Sequence, residues 1–342
     1  MKKHRRRLSS FKKQRSVGEF TRRPKRKNRR SAVRWNLSRA LVPALIALIA
    51  LSLVMIAGIV LRSVRTRKLN AELAALHAAG AVLETPAPVE EMSASVAAQA
   101  LPALTPEPER AASPEPEPAP AAEETGAPVR FHQVGGTPLA HMETLYSQNH
   151  DLIAWLEIPD VIDLPVMYKD NVYYLTHDFN KSKNASGTIF LDENHRFTEQ
   201  TQNLLLHGHN MKDGTMFGRL VHYLQDIDYY RSHPFVHLDT LWEEEEYVIF
   251  AVLRVSLDVR DESFINYFSH PTFLSDASLD AYVRQLQLHS AYAVPIDVKP
   301  TDALLTLSTC IDEDRLVIVC RRLRKGETRT RLRELVRLAQ KQ

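Results

Sequence analysis

Apolar and polar residues change their spacing several times along this chain, and each change marks a different kind of element. Residues 40–61, ALVPALIALIALSLVMIAGIVL, carry no charge. As a helix rising about 1.5 Å per residue, such a run can cross a hydrocarbon core of about 30 Å. Residues 63–82 then mix Ala and Leu with charge, the pattern of a short helical stalk. Residues 85–128, with TPAPVEEMSASV and PEPEPAPAAEETGAP, are dense in Pro, Ala and Glu. Such a stretch buries too little apolar surface to offset the entropy of ordering. Proline and like charges extend it, so it reads as a spacer.

From about residue 130 the pattern is that of a folded domain. METLYSQNHDLIAWLEIP predicts an amphipathic helix entering a short strand. Strand candidates follow at LPVMY, GTIFLD, NLLLHG, PFVHLDT, EYVIFAVLRVSL, DALLTLST and RLVIVCRR, punctuated by Gly, Pro, Asn or Asp. Many short strands without regular βαβ alternation argue for a mainly β domain with peripheral helices, a barrel or a sandwich. TMFGRLVHYL is one helical piece. DASLDAYVRQLQLHSAY is another, with Leu279, Tyr282, Val283, Leu286 and Leu288 at roughly helical spacing. After Gly326 the tail puts Leu332, Leu335, Val336 and Leu338 near one helical face among arginines. That basic helix either packs on the domain or touches a membrane surface. The expected order is a basic head over 1–39, a transmembrane helix over 40–61, a stalk and linker over 62–129, the β domain over 130–325 and a C-terminal helix over 326–342.

Charge fixes an orientation for this order. The formal net charge is only +3, yet 17 of the 44 Lys and Arg and just one of the 41 acids precede residue 40. A basic head alone could bind nucleic acid or anionic lipid through phosphate contacts. The apolar run that follows decides against nucleic acid. The excess outweighs Arg62, Arg65, Arg67 and Lys68 on the other side, so the positive-inside rule places residues 1–39 in the cytoplasm and the β domain outside the cell. The head then meets anionic headgroups of the inner leaflet. The run is longer than a signal peptide's apolar region, and no small-residue cleavage motif follows it at once.

An exported chain can form disulfides. The two cysteines, Cys310 and Cys320, would close only a small loop between neighbouring strands, and no zinc-type CxxC spacing occurs. Cys320 sits inside LVIVC, as a buried core thiol would, although a redox partner is the alternative. Cys310 sits at the end of a run, in TLSTC, with Arg315 opening the next strand after IDED. If those strands are antiparallel neighbours, thiol and guanidinium share one end of the sheet. A nearby positive charge favours a thiolate, and an arginine fork can hold an oxyanion. Arg315 could instead pair with Asp312, Glu313 or Asp314, and Cys310 could be a structural thiol. Acid–base work needs a third group. Among 14 histidines, His209 stands where NLLLHG gives way to a glycine-rich turn, a strand-end position suited to catalysis. Ser308 and Thr309 line a cleft or merely finish the strand; with Asn210 they are the candidate substrate-binding residues. No metal-ligand cluster lies near these motifs, so no cofactor is implied.

Several motifs in order resemble the class B sortases, membrane-anchored cysteine transpeptidases of Gram-positive bacteria. They are WLEIPDVIDLPVMYKDNVYYLTHDF, GTIFLDENH, HGHNMKDGTMFGRL, TLSTC and RLVIV, spread over most of 140–325. The resemblance implies a closed eight-stranded mixed β-barrel with peripheral helices, including an added helix before the cysteine strand, which segment 276–290 matches. It carries catalytic roles to Cys310, His209 (not His207) and Arg315. It implies cleavage of a C-terminal sorting signal on exported proteins through a Cys310 thioester, then transfer to an amine of a lipid-linked cell-wall precursor or a pilin lysine. The short IDED link, His207 and Cys320 depart from the family pattern. A sortase-like scaffold without turnover and a cysteine hydrolase that hands the thioester to water are the alternatives.

Overall fold

The computed structural model describes residues 30–84 and 129–342. The rest of the basic head and the spacer over 85–128 lie outside the described residues. Helix α1 (Arg30–Glu84) includes the apolar run with Pro43 inside it. It is the one helix among the described residues long and apolar enough to cross a membrane. Leu45, Ile46 and Leu53 are exposed, as a lipid-facing surface requires. The chain divides into two compact units, the first ending at Ile59 and the second running from Val60 to Gln342.

The second unit is built on a barrel. Its strands are β1 (Leu152–Ile158), β2 (Ile162–Met167), β3 (Ile189–Leu191), β4 (Asn203–His207), β5 (Phe235–Thr240), β6 (Glu244–Val255), β8 (Leu304–Ile311) and β9 (Asp314–Arg322). They close in the order β1-β2-β3-β4-β8-β9-β6-β5. The pairs β2–β3 and β4–β8 are parallel and the others antiparallel, so the barrel is mixed. Closure removes the sheet edges and leaves one apolar interior. Strands β6, β8 and β9 are buried over nearly their whole length, which is why their sequences read as apolar runs without alternation.

Helices cover the outside. Helix α2 (Ala140–Gln148) precedes β1. The expected helix over TMFGRLVHYL begins only at Gly218, as a 3₁₀ turn (Gly218–Val221) leading into α3 (His222–Gln225) and then α4 (Ile227–Ser232). Helix α5 (Asp276–His289) packs on β6 and starts with a capping box between Ser275 and Ser278. It buries Leu279, Tyr282, Val283 and Leu286, whereas Leu288 is 75% exposed. Leu288 stands only two positions past Leu286, which turns it to the opposite face. Helix α6 (Arg329–Arg337) buries Leu332 and Val336, and Arg329 pairs with Glu246 on β6. The basic tail is therefore a surface helix of the domain. Strand β10 (Gln340–Lys341) after it pairs with β7 (Tyr292–Ala293).

Residues 63–81, read from sequence as a stalk, lie against the barrel. The stripe Leu69, Leu73, Ala74 and His77 recurs at helical spacing, and Leu73 is buried with Met142, Leu145, Trp155 and Phe179. Hydrogen bonds reinforce the seam: Asn184 Nδ2 donates to Thr66 Oγ1 at 3.1 Å, and Arg67 donates to the Asp213 carbonyl at 2.6 Å. Ser63 also bonds the Asp213 carboxylate. This segment forms part of the domain wall. Truncating Leu73 to Ala should loosen that wall by about 2–5 kcal/mol, the usual cost of emptying a buried leucine site. Hydrogen exchange on the full chain in detergent micelles should show faster exchange over 63–81 while the barrel strands stay protected.

Candidate active site

The β8–β9 hairpin places the thiol and the guanidinium. Both strands run one residue further than the sequence suggests, so only Asp312 and Glu313 form the turn. Asp312 takes φ 51°, a left-handed conformation that aspartate tolerates better than most side chains. In this register Cys310 faces Arg315 directly. Directly opposed residues of an antiparallel pair project from the same face. Arg315 Nη1 donates to Cys310 Sγ at 2.5 Å. The acids of IDED are occupied elsewhere: Arg254 on β6 donates to Asp314 at 2.6 Å and to Asp312 at 3.1 Å. Among the described residues Arg315 forms no ion pair with them, so Arg254 holds the turn and leaves Arg315 to the sulfur. Cys310 is free and exposed at the rim.

The histidine arrives on the neighbouring strand. β4 runs parallel to β8 with His207 opposite Ser308. Contacts continue beyond the strand end. Gly208 N–H donates to the Ser308 carbonyl at 3.3 Å, Thr309 Oγ1 donates to the Gly208 carbonyl at 2.7 Å, and Asn210 Nδ2 donates to the Cys310 carbonyl at 2.8 Å. These bonds tie the His209 loop to the cysteine strand. The loop is compact because its glycines permit close approach. A Cβ on Gly208 would lie 2.8 Å from the Phe217 ring, and one on Gly218 would lie 2.1 Å from the Met211 carbonyl oxygen. His209 Nε2 bonds the Leu175 carbonyl at 2.9 Å. A carbonyl only accepts, so Nε2 carries the proton and a neutral ring presents its lone pair on Nδ1. No hydrogen bond joins His209 to Cys310 among the described residues.

Ser308 and Thr309 are buried rather than open to a cleft. Ser308 Oγ bonds Tyr267 Oη at 2.9 Å, and the Thr309 hydroxyl is the one spent on Gly208. Both support the strand end. His207 points to Asp192, with Nε2 2.9 Å from Oδ2. Buried His195 approaches the other carboxylate oxygen at 3.4 Å, and Asn171 and the Asn194 backbone also donate to Asp192. Burial alone would raise the Asp192 pKa, but the His195, His207 and Asn194 bonds outweigh it and hold the carboxyl far below its usual range. Cys320 is buried within β9, and burial pushes its thiol well up.

A sortase domain model matches residues 156–323. Sortase B of Staphylococcus aureus is 26% identical over 186 residues, which is 52% of this chain and 73% of that protein. A crystal structure of sortase B from Bacillus anthracis in complex with AAEK2 superposes with a TM-score of 0.51 at 28% identity, covering 58% of this chain and 89% of that one. Sortase B of Listeria monocytogenes is 33% identical over 182 residues, which is 53% of this chain and 71% of that protein. The chain belongs to the class B sortases. Membership makes it a cysteine transpeptidase, and the eight-stranded closed barrel is the family fold. In this sortase the sequence did not point to the Leu175 carbonyl, to Asp192 or to Arg254. A backbone acceptor leaves no side-chain signal, although Asp192 within LDENH, ahead of two histidines, was a visible clue.

Two outcomes follow for the sortase. Iodoacetamide should modify one of its two thiols in the native state, Cys310, and both in denaturant; peptide mass mapping reads the difference. Asp192 contributes stability wherever it is ionised in both folded and unfolded chains, above about pH 4. That contribution should drain away as the pH falls below 4 toward the depressed folded-state value. Urea unfolding between pH 6 and pH 3 should show a shallower acid decline for Asp192→Asn, from a lower starting stability at neutral pH.

Proposed function

We propose that this sortase cleaves a C-terminal sorting signal on exported proteins and joins the new carboxyl end to an amine. The observation that carries the reading is Arg315 Nη1 on Cys310 Sγ at an exposed strand end, with the His209 loop tied alongside. Cys310 first passes its thiol proton to the lone pair of His209 Nδ1, and the sulfur, now a thiolate, attacks the carbonyl carbon of the scissile bond. Arg315 turns from the sulfur to the developing oxyanion. His209 gives a proton from Nδ1 to the leaving amine as the C–N bond breaks, and a thioester remains on Cys310. An incoming amine then attacks the thioester, loses a proton to His209 Nδ1, and expels the thiolate. The acceptor is an amine of a lipid-linked cell-wall precursor or a lysine of a pilin. Asn210 contributes to substrate contact beside Cys310.

The apolar part of α1 supports a single-pass anchor in the cell membrane, with the basic head in the cytoplasm against anionic headgroups and the barrel outside. A capture experiment tests the chemistry. The enzyme is incubated with a sorting-signal peptide library and analysed as intact protein and as released products by mass spectrometry. The expected result is an acyl adduct on Cys310 that Cys310→Ala cannot form. Added amine should then raise the yield of joined product over the hydrolysed acid. A drop in kcat/KM of about 10²–10³ is expected for Arg315→Lys, the scale of losing one oxyanion donor, and a comparable or larger drop for His209→Ala. Absence of any adduct would leave a scaffold; an adduct whose product ignores amine would leave a hydrolase.

A further inference from the structure

A second group of titratable side chains gathers away from these motifs, where α1 meets the barrel. His77 comes from α1, His141 from α2 and Asp239 from β5. His77 is 8% exposed and His141 1%. Neighbouring rings fix their directions: His77 stacks on Trp155 at 4.5 Å and 9°, and meets the His141 ring edge-on at 4.9 Å and 86°. Both imidazoles aim Nε2 at the same Asp239 Oδ2, at 3.4 Å from His77 and 3.5 Å from His141.

These separations are informative because they are long for hydrogen bonds. N–H···O bonds span about 2.7–3.2 Å. His77 Nε2 is buried and makes no hydrogen bond, which is costly for a polar nitrogen in a protein interior. A tetrahedral zinc ion with bonds of about 2.0–2.1 Å sets neighbouring N and O ligands roughly 3.3–3.4 Å apart. Both nitrogen–carboxylate separations therefore match the edge lengths of a metal polyhedron, and all three ligand atoms lie within 4.8 Å of one another. Another acidic and histidine group among the described residues, His132 with Glu243 and Glu245, differs. There His132 Nδ1 lies 2.7 Å from Glu245, and Arg322 pairs with Glu243 at 2.8 Å and Glu245 at 3.2 Å. An ordinary hydrogen bond to His132 Nδ1 and a resident cation already engage both carboxylates there, although His132 Nε2 is itself unpartnered.

We propose that His77, His141 and Asp239 bind a late first-row divalent metal ion, zinc by donor set, with water at the fourth position. Two neutral imidazoles and one carboxylate suit that ion better than calcium or magnesium, which take oxygen ligands. The ligands lie on three elements separated by the long segment after α1, so the ion cross-links the juxtamembrane helix to α2 and β5. Its role is to clamp the 63–81 segment to the barrel wall, because a ligand bound only by the docked arrangement stabilises that arrangement.

The test uses the full chain in detergent micelles, carrying Cys310→Ala so that no exposed thiol competes for metal. Cobalt(II) is titrated first, then displaced by zinc(II), and bound zinc is counted by elemental mass spectrometry. The expected result is one equivalent per chain with the intense visible absorption of tetrahedral cobalt. Affinity should fall at least tenfold in His77→Gln and in Asp239→Asn, and should be unchanged in His289→Gln. Hydrogen exchange over 63–81 should slow on adding zinc and recover with a chelator, and circular dichroism confirms that each variant folds. The proposal is overturned if the parent binds no stoichiometric metal, if both variants bind as the parent does, or if His132→Gln removes binding in their place.

Discussion

Arg315 reaches Cys310 because the chain reverses in two residues between β8 and β9, and the geometry of the site grows from that reversal. Directly opposed positions of an antiparallel pair share a face, so thiol and guanidinium need no loop to bring them together. The hairpin in turn depends on Arg254, one strand further along the barrel, which occupies the two aspartates that could otherwise draw Arg315 away. The side chains that touch are few, but strands on both sides hold them in place.

The histidine side is built differently. A parallel pair, β4 with β8, delivers His209 beyond the end of a strand, where no ladder can continue. Three hydrogen bonds from Gly208, Thr309 and Asn210 replace the missing rungs. Below them Asp192 gathers His207 and His195, so the strand-end region rests on a charged network as well as on packing. Ser308 and Thr309 belong to this support, and their burial explains why small hydroxyl residues precede the cysteine.

The barrel strands were legible because β6, β8 and β9 are covered on both faces and spell out their burial as apolar runs. Cys310, Arg315 and the His209 loop were legible because each stands where such a run stops. Other parts left no trace. Leu175 acts through its carbonyl, and any residue has one. The competition between Arg254 and Arg315 for the IDED acids depends on which strand lies next to β9, a fact of topology. Leu288 looked periodic but falls on the far side of α5. The docked face of residues 63–81 was hidden by the segment that separates it from the barrel sequence, since helical amphipathicity tells that a face is covered but not by what.

The docking of that helix changes what counts as the edge of the folded unit. Motifs would suggest cutting near residue 130 to obtain a soluble fragment. Such a fragment would lack Leu73 and His77 and would open to water the wall formed by Met142, Leu145 and Trp155. It would also lose the grip of Ser63 and Arg67 on Asp213, within the loop that carries His209. Sluggish or aggregating preparations made that way would report a missing piece of architecture, and a fragment beginning near Val60 would be the fairer sample of the enzyme.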